Sequence, residues 1–165
     1  ALYLFEDKGI VIEEAVMGVM LFNGTMCIGR LLGNRLGKHL TSKQVVVGGY
    51  LLGSIAMGLI VFLPGHASMY TYLLLGISLA MIVPNLFSAM GEQNVIPMTQ
   101  AVATSTMLGY MGILMGPALI GFIAHGTSLT VAFIVLTILL VVSAGIGKYA
   151  YHLMSKDCGL SEEQI

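Results

Sequence analysis

The sequence predicts an all-α fold, a polytopic membrane helical bundle with about five full transmembrane helices plus a truncated first one. Of the 165 residues, 57% are hydrophobic and only 9% are charged, whereas soluble domains carry about 25% charged residues. No Asp, Glu, Lys or Arg occurs in the 48 residues from 44 to 91 or in the 55 residues from 93 to 147. Because about 18 apolar residues can cross a bilayer, both runs predict membrane-spanning helices.

Each charge-free run is too long for a single span. A helix of 55 residues would extend about 80 Å, against a hydrocarbon core of about 30 Å. Glycine, proline and small hydroxyl residues at 64–68 and 125–128 are typical of turns and divide the two runs. The sequence therefore predicts spans at about 45–63, 69–90, 100–123 and 129–150.

A fifth span precedes these four, at about residues 15–33. It contains Arg30 near its end, where a long arginine side chain can reach the headgroup region. The apolar residues 1–5 are interpreted as the tail of a further span whose beginning is absent. We expect a chain cut from something longer.

Basic residues concentrate at one place, since four of the seven lysines and arginines lie between residues 29 and 43. Short loops rich in lysine and arginine stay on the cytoplasmic side of the membrane. The alternation of spans then places 64–68 and 125–128 outside and 92–99 inside. Neither external turn contains lysine or arginine, so this topology is self-consistent.

The basic stretch also has a characteristic spacing. It resembles the cytoplasmic loop signature of the major facilitator superfamily, a glycine followed by Asp-Arg-x-Gly and further basic residues. The matching residues here are Gly29, Arg30, Asn34, Arg35, Gly37 and Lys38. The chain departs from the signature by one extra residue and by Asn34, which replaces the usual carboxylate. The role of that carboxylate therefore does not transfer to this sequence.

A second resemblance lies in the fourth complete span. Gly109 and Gly112, followed by Gly116-Pro117 and Gly121, are similar to the Gly-Pro pattern of the superfamily's fifth and eleventh helices. The run from Val83 onward is most similar to a bacterial branch related to sugar permeases. This resemblance implies the carboxy-terminal six-helix half of a twelve-helix transporter, at 1–154, followed by a cytoplasmic tail at 155–165. It also implies a bacterial inner-membrane location.

Four polar side chains within the spans are candidates for a substrate cavity. Asn23, near a span midpoint, requires a partner and fits either an interhelical hydrogen bond or a substrate contact. Asn85 follows Pro84, whose ring frees the carbonyl of Ala80, and this combination favours a cavity surface. Thr106 and Tyr110 are four residues apart and therefore share a helix face, either towards a cavity or in interior packing.

The glycine residues of the fourth span have a separate interpretation. Gly112 and Gly116 form a small-x-x-x-small pair that permits close helix packing, as do Gly49 and Gly53. Pro117 removes one backbone hydrogen bond and favours a bend.

The sequence contains no pattern that favours catalysis, a metal site, a cofactor or nucleic-acid binding. Two histidines in the external turns lack a second ligand at metal spacing. We expect a secondary transporter for a small solute, such as a sugar or a related polar compound, acting by alternating access. Its partners would be this substrate, the lipid bilayer and the amino-terminal half of the same transporter. The alternative is a small multi-span scaffold or assembly protein without transport activity.

Overall fold

The computed structural model describes residues 2–36, 41–92 and 96–158. Within these ranges every regular element is an α-helix. The helices, in chain order, are α1 (Leu2–Glu6), α2 (Ile12–Leu36), α3 (Ser42–Phe62), α4 (Gly65–Ala80), α5 (Ile82–Glu92), α6 (Met98–Gly126) and α7 (Leu129–Cys158).

Five segments are long and apolar enough to cross a membrane, and the predicted all-α polytopic bundle is therefore confirmed. They are Ile12–Leu31, Ser42–Phe62, His66–Gly91, Met98–Gly126 and Leu129–Leu153. The third segment combines α4 and α5. Most of the boundaries lie within about three residues of the predicted ones, although α4 begins at Gly65 and not near 69, and α7 continues past 150 to Cys158.

The helices pack as a bundle centred on α3 and α4. Helix α3 contacts α4, α5 and α7, and α4 also packs along α2. Helix α6 lies at the edge, with its main contacts to α7 and α5. The core contains apolar residues of the first four helices, and Phe133 of α7 stacks on Tyr3 with ring centroids 4.3 Å apart.

Close approach of α2 and α4 depends on small residues. A Cβ atom at Gly76 would overlap the Thr25 side chain, and one at Gly29 would lie 2.7 Å from the Cβ of Ala80. Inside a membrane, apolar side chains gain little by leaving lipid, so close packing between backbones supplies much of the helix association. Glycine at these positions permits that packing.

Polar contacts join the helix ends on one side of the bundle. Lys8 donates to the carbonyl of Val61 at 2.7 Å, and Thr130 donates to a carboxylate oxygen of Asp7 at 3.0 Å. The link between α1 and α2, the α3–α4 turn and the start of α7 are therefore adjacent. The sequence predicts this set of segments at one membrane face, the external one.

Candidate functional site

A cavity lies between α5 and α6, with a volume of about 490 Å³. Ligand-binding pockets commonly have volumes of about 300–1,000 Å³. The lining consists of apolar residues and three hydroxyl-bearing side chains. These residues are Val83, Leu86, Phe87, Met90, Ser105, Thr106, Gly109, Tyr110 and Ile113.

The break between α4 and α5 positions one wall of this cavity. Helix α4 ends at Ala80, Met81 follows, and α5 begins at Ile82. Pro84 lacks the N–H that would donate to the carbonyl of Ala80, so the break is where the sequence predicts a loosened backbone. The cavity wall formed by Val83 to Met90 begins directly after this break.

The opposite wall comes from one face of α6. Ser105, Gly109 and Ile113 are spaced by four residues, and Thr106 and Tyr110 form the adjacent row. Gly109 has no side chain, and a Cβ atom placed there would have no neighbour within 4 Å. The missing side chain contributes to the volume of the cavity beside the tyrosine.

Two of the four candidate cavity residues meet at this site. Thr106 and Tyr110 both line it, and the side chain of Tyr110 is largely exposed. Ser105 also lines it, although the sequence analysis did not select this residue. Its spacing could have identified it: Ser105 lies four residues before Gly109 and therefore on the same helix face, where the missing glycine side chain leaves space.

Asn85 and Asn23 are not among the residues that line the cavity. The side-chain amide of Asn85 donates to the carbonyl of Met81 at 2.8 Å and so satisfies a backbone acceptor at the helix break. Asn23 donates to the carbonyl of Val19, in its own helix, also at 2.8 Å. This hydrogen bond lies within one helix and is not the interhelical bond that we considered for Asn23. The side chain of Asn23 is exposed.

The basic motif lies partly on a helix. Helix α2 continues to Leu36, so Gly29, Arg30, Asn34 and Arg35 belong to its last turns and not to a loop. Gly29 contacts α4, and the side chain of Arg30 is exposed. The positions of Gly37 and Lys38 and the side chains of Asn34 and Arg35 lie outside the described residues.

The Gly-Pro segment lies within the continuous helix α6, which contains Pro117. A Cβ atom at Gly112, Gly116 or Gly121 would meet nothing within 4 Å. In the described part of this chain, therefore, no helix packs against these glycines. Gly49 and Gly53 differ, because both lie against α4.

The described residues contain no group of three or more His, Cys, Asp or Glu side chains that could hold a metal ion. His66 pairs with Glu14, with 2.8 Å between Nε2 and the carboxylate oxygen. Both side chains are substantially exposed, so this pair between α4 and α2 contributes about 1 kcal/mol or less.

The fold and the cavity define the class of this protein. It is a multi-span helical membrane protein with a cavity of about 490 Å³ beside its edge helix. An uncharacterized MFS-type transporter of Yersinia pestis is 40% identical over 147 residues, which are 87% of this chain and 38% of the relative. Membrane protein MosC of Rhizobium meliloti is 29% identical over 129 residues, which are 78% of this chain and 32% of that protein. An uncharacterized transporter of Sinorhizobium fredii is 25% identical over 139 residues, 82% of this chain and 36% of the relative.

These relatives confirm the resemblance to the major facilitator superfamily (MFS), and the chain is homologous to part of an MFS-type transporter. It is a multi-pass membrane protein. The chain spans about a third of the length of the curated relatives that it matches. No family model matches the chain, and no solved structure does either.

Proposed function

We propose that this chain forms one half of a secondary transporter and supplies one wall of its translocation cavity. The cavity between α5 and α6 is the observation that carries the proposal. In transporters built from repeats, the substrate site lies near the bilayer midplane at the interface between the repeats. Of the five spans in the described residues, α6 has the smallest buried share, and a Cβ atom at any of its glycines would meet nothing within 4 Å. Those features fit a face that meets a second half.

The lining favours a neutral solute. None of the nine lining residues carries a charge, and the polar groups are the hydroxyls of Ser105, Thr106 and Tyr110. Hydroxyl groups both donate and accept hydrogen bonds, so they suit a substrate with hydroxyl groups of its own. The apolar side chains, including Phe87, would contact a less polar face of the same solute. A sugar or related polar compound has both kinds of surface, and we propose this substrate class.

Alternating access would expose the cavity first to one side of the membrane and then to the other. The helix break at Met81 and the proline in α6 are places where the backbone hydrogen-bond ladder is interrupted. Movement of α5 and α6 at these points would change the width of the cavity. Rocking of one half against the other around a fixed site is the general mechanism of such folds.

Uptake measurements in proteoliposomes containing the intact protein test this proposal, with a panel of radiolabelled neutral sugars and polyols. Tyr110→Phe should raise KM for a transported solute about 2- to 10-fold, the value of one hydrogen bond. Tyr149→Phe is the matched control, since this exposed tyrosine of α7 does not line the cavity.

A second variant tests the cavity by volume. Gly109→Leu should fill the cavity and abolish uptake without loss of folded protein, because a Cβ atom there meets no neighbour. Gly145→Leu in α7, another open position, should retain uptake. Unchanged transport by Gly109→Leu, or no uptake of any solute by the intact protein, would contradict the proposal.

A further inference from the structure

A second cavity lies between the N-terminus of α3 and the C-terminal part of α7, and it shares no lining residue with the α5–α6 cavity. Its volume is about 550 Å³. Lys43 of α3 and Lys148 of α7 both line it, together with Thr41, Gln44, Val47, Gly48 and Leu51. Two of the seven basic residues of the chain therefore converge on one cavity from different helices.

The cavity changes character along its length. At the helix end it has two ammonium groups and the polar side chains of Thr41 and Gln44, and further along α3 it has only Val47, Gly48 and Leu51. Val47 and Leu51 are four residues apart and therefore lie on the same face of α3. A molecule that fills this cavity must be anionic at one end and apolar at the other.

The position in the membrane matches this polarity. Ser42 begins the span Ser42–Phe62, and the apolar residues Val47 and Leu51 lie one to two turns further along the same span. Lys148 lies in the last turns of the α7 span, which runs from Leu129 to Leu153. The lysines are thus at the headgroup level and the apolar lining is at the level of the acyl chains. The positive-inside rule places this end of the bundle at the cytoplasmic leaflet, which carries anionic lipids.

We propose that this cavity binds an anionic phospholipid, with its phosphate headgroup between Lys43 and Lys148 and an acyl chain along Val47, Gly48 and Leu51. The two ammonium groups complement the headgroup charge, and the N-terminus of α3 adds its partial positive charge. Gly48 is central to the site. A Cβ atom at this position meets nothing within 4 Å, so the glycine leaves a groove on the surface of α3 that an acyl chain can occupy.

Native mass spectrometry of the intact, delipidated protein tests the proposal, by titration with phosphatidylglycerol, phosphatidylcholine and inorganic phosphate. Phosphatidylglycerol should bind in preference to phosphatidylcholine. The double variant Lys43→Gln with Lys148→Gln should weaken phosphatidylglycerol binding about 30-fold, roughly 5-fold for each lysine. Lys8→Gln is the control for lost charge, because Lys8 lies at the other end of the bundle and glutamine retains a hydrogen-bond donor.

The groove has its own test, which leaves the charges unchanged. Gly48→Leu should fill the groove and weaken phosphatidylglycerol binding at least 5-fold. Gly58→Leu lies in an equally open position of α3 but does not line the cavity, so it should bind as the unmodified protein does. Equal binding of phosphatidylglycerol and phosphatidylcholine, or equal effects of Gly48→Leu and Gly58→Leu, would overturn the proposal. Competition by millimolar inorganic phosphate that abolishes lipid binding would show a site for the free anion instead.

Discussion

Single glycine residues determine how closely α2 approaches α4. The hydroxyl of Thr25 donates to the carbonyl of Leu21 at 2.7 Å, within its own helix, and this bond holds the side chain beside Gly76. The main-chain carbonyl of Phe22 would also lie 2.5 Å from a Cβ atom at Gly76. Because a backbone atom cannot rotate away as a side chain can, any larger residue at this position must separate the two helices.

We expect Gly76→Leu to lower the melting temperature of the protein in detergent by about 2–12 °C. Overpacking of a tight interface costs about 1–3 kcal/mol, and each kcal/mol corresponds to about 2–4 °C in a protein of this size. Gly24→Leu in α2 is the matched control, since a Cβ atom there has no neighbour within 4 Å. Similar melting temperatures for the two variants would show that α2 and α4 are not in close contact at Gly76.

The residue scale is also where prediction from the sequence is weakest. The small-x-x-x-small spacing predicts close helix packing at two glycine pairs. Gly49 and Gly53 do lie against α4, whereas Gly112 and Gly116 have no neighbour in the described part of the chain. Gly76 and Ala80 have the same spacing and do pack against α2, although the sequence analysis did not predict close packing there. Spacing shows which residues share a helix face, but the neighbouring helix depends on the packing of the whole bundle.

Among the helices, the interruption between α4 and α5 follows from local chemistry. Pro84 removes one backbone hydrogen bond of the helix, and the side-chain amide of Asn85 donates a hydrogen bond to the carbonyl of Met81 at 2.8 Å. Both features are visible in the sequence as Pro84-Asn85. This break was therefore predictable from the sequence. The cavity between α5 and α6 was not, because the sequence does not show which helices contact each other.

Pro84→Ala should join α4 and α5 into a more continuous helix. The alanine N–H can donate to the carbonyl of Ala80, so the amides at 82–85 should exchange with deuterium more slowly in hydrogen-exchange mass spectrometry. Pro97→Ala, at the start of α6, should leave the exchange at 82–85 unchanged. Equal or faster exchange in Pro84→Ala would mean that the break does not depend on the proline.

Helix α6 presents its Gly-Pro segment to a surface that no described helix of this chain covers. If a second half of the transporter packs there, a large side chain at Gly116 must separate the two halves. We expect Gly116→Leu in the intact protein to abolish transport or expression, whereas Gly145→Leu in α7 should have little effect. Normal transport by Gly116→Leu would place this face against lipid and contradict the close-packing prediction.

At the scale of the whole molecule, the ends of the bundle differ in charge and in contacts. Arg30, Lys43 and Lys148 lie towards one end, and the contacts of Lys8 with Val61 and of Glu14 with His66 lie at the other. Lysine and arginine in short loops resist transfer across the membrane, so the end with the basic cluster should face the cytoplasm. The turns at Pro64 and Thr127 should then face outwards.

Cysteine labelling in whole cells tests this orientation. In a background that lacks Cys27 and Cys158, a cysteine at Ser42 should react only after the membrane is permeabilised, and a cysteine at Ala67 should react with an impermeant maleimide in intact cells. Ala67 is chosen because its side chain is exposed, whereas the adjacent Ser68 is buried and donates to the carbonyl of Ile60 at 3.1 Å. A cysteine at Ser68 should therefore label poorly from either side, which provides an internal control for the α3–α4 packing. Labelling of both Ser42→Cys and Ala67→Cys in intact cells would contradict the topology, because residues 42 and 67 are separated by the single span Ser42–Phe62.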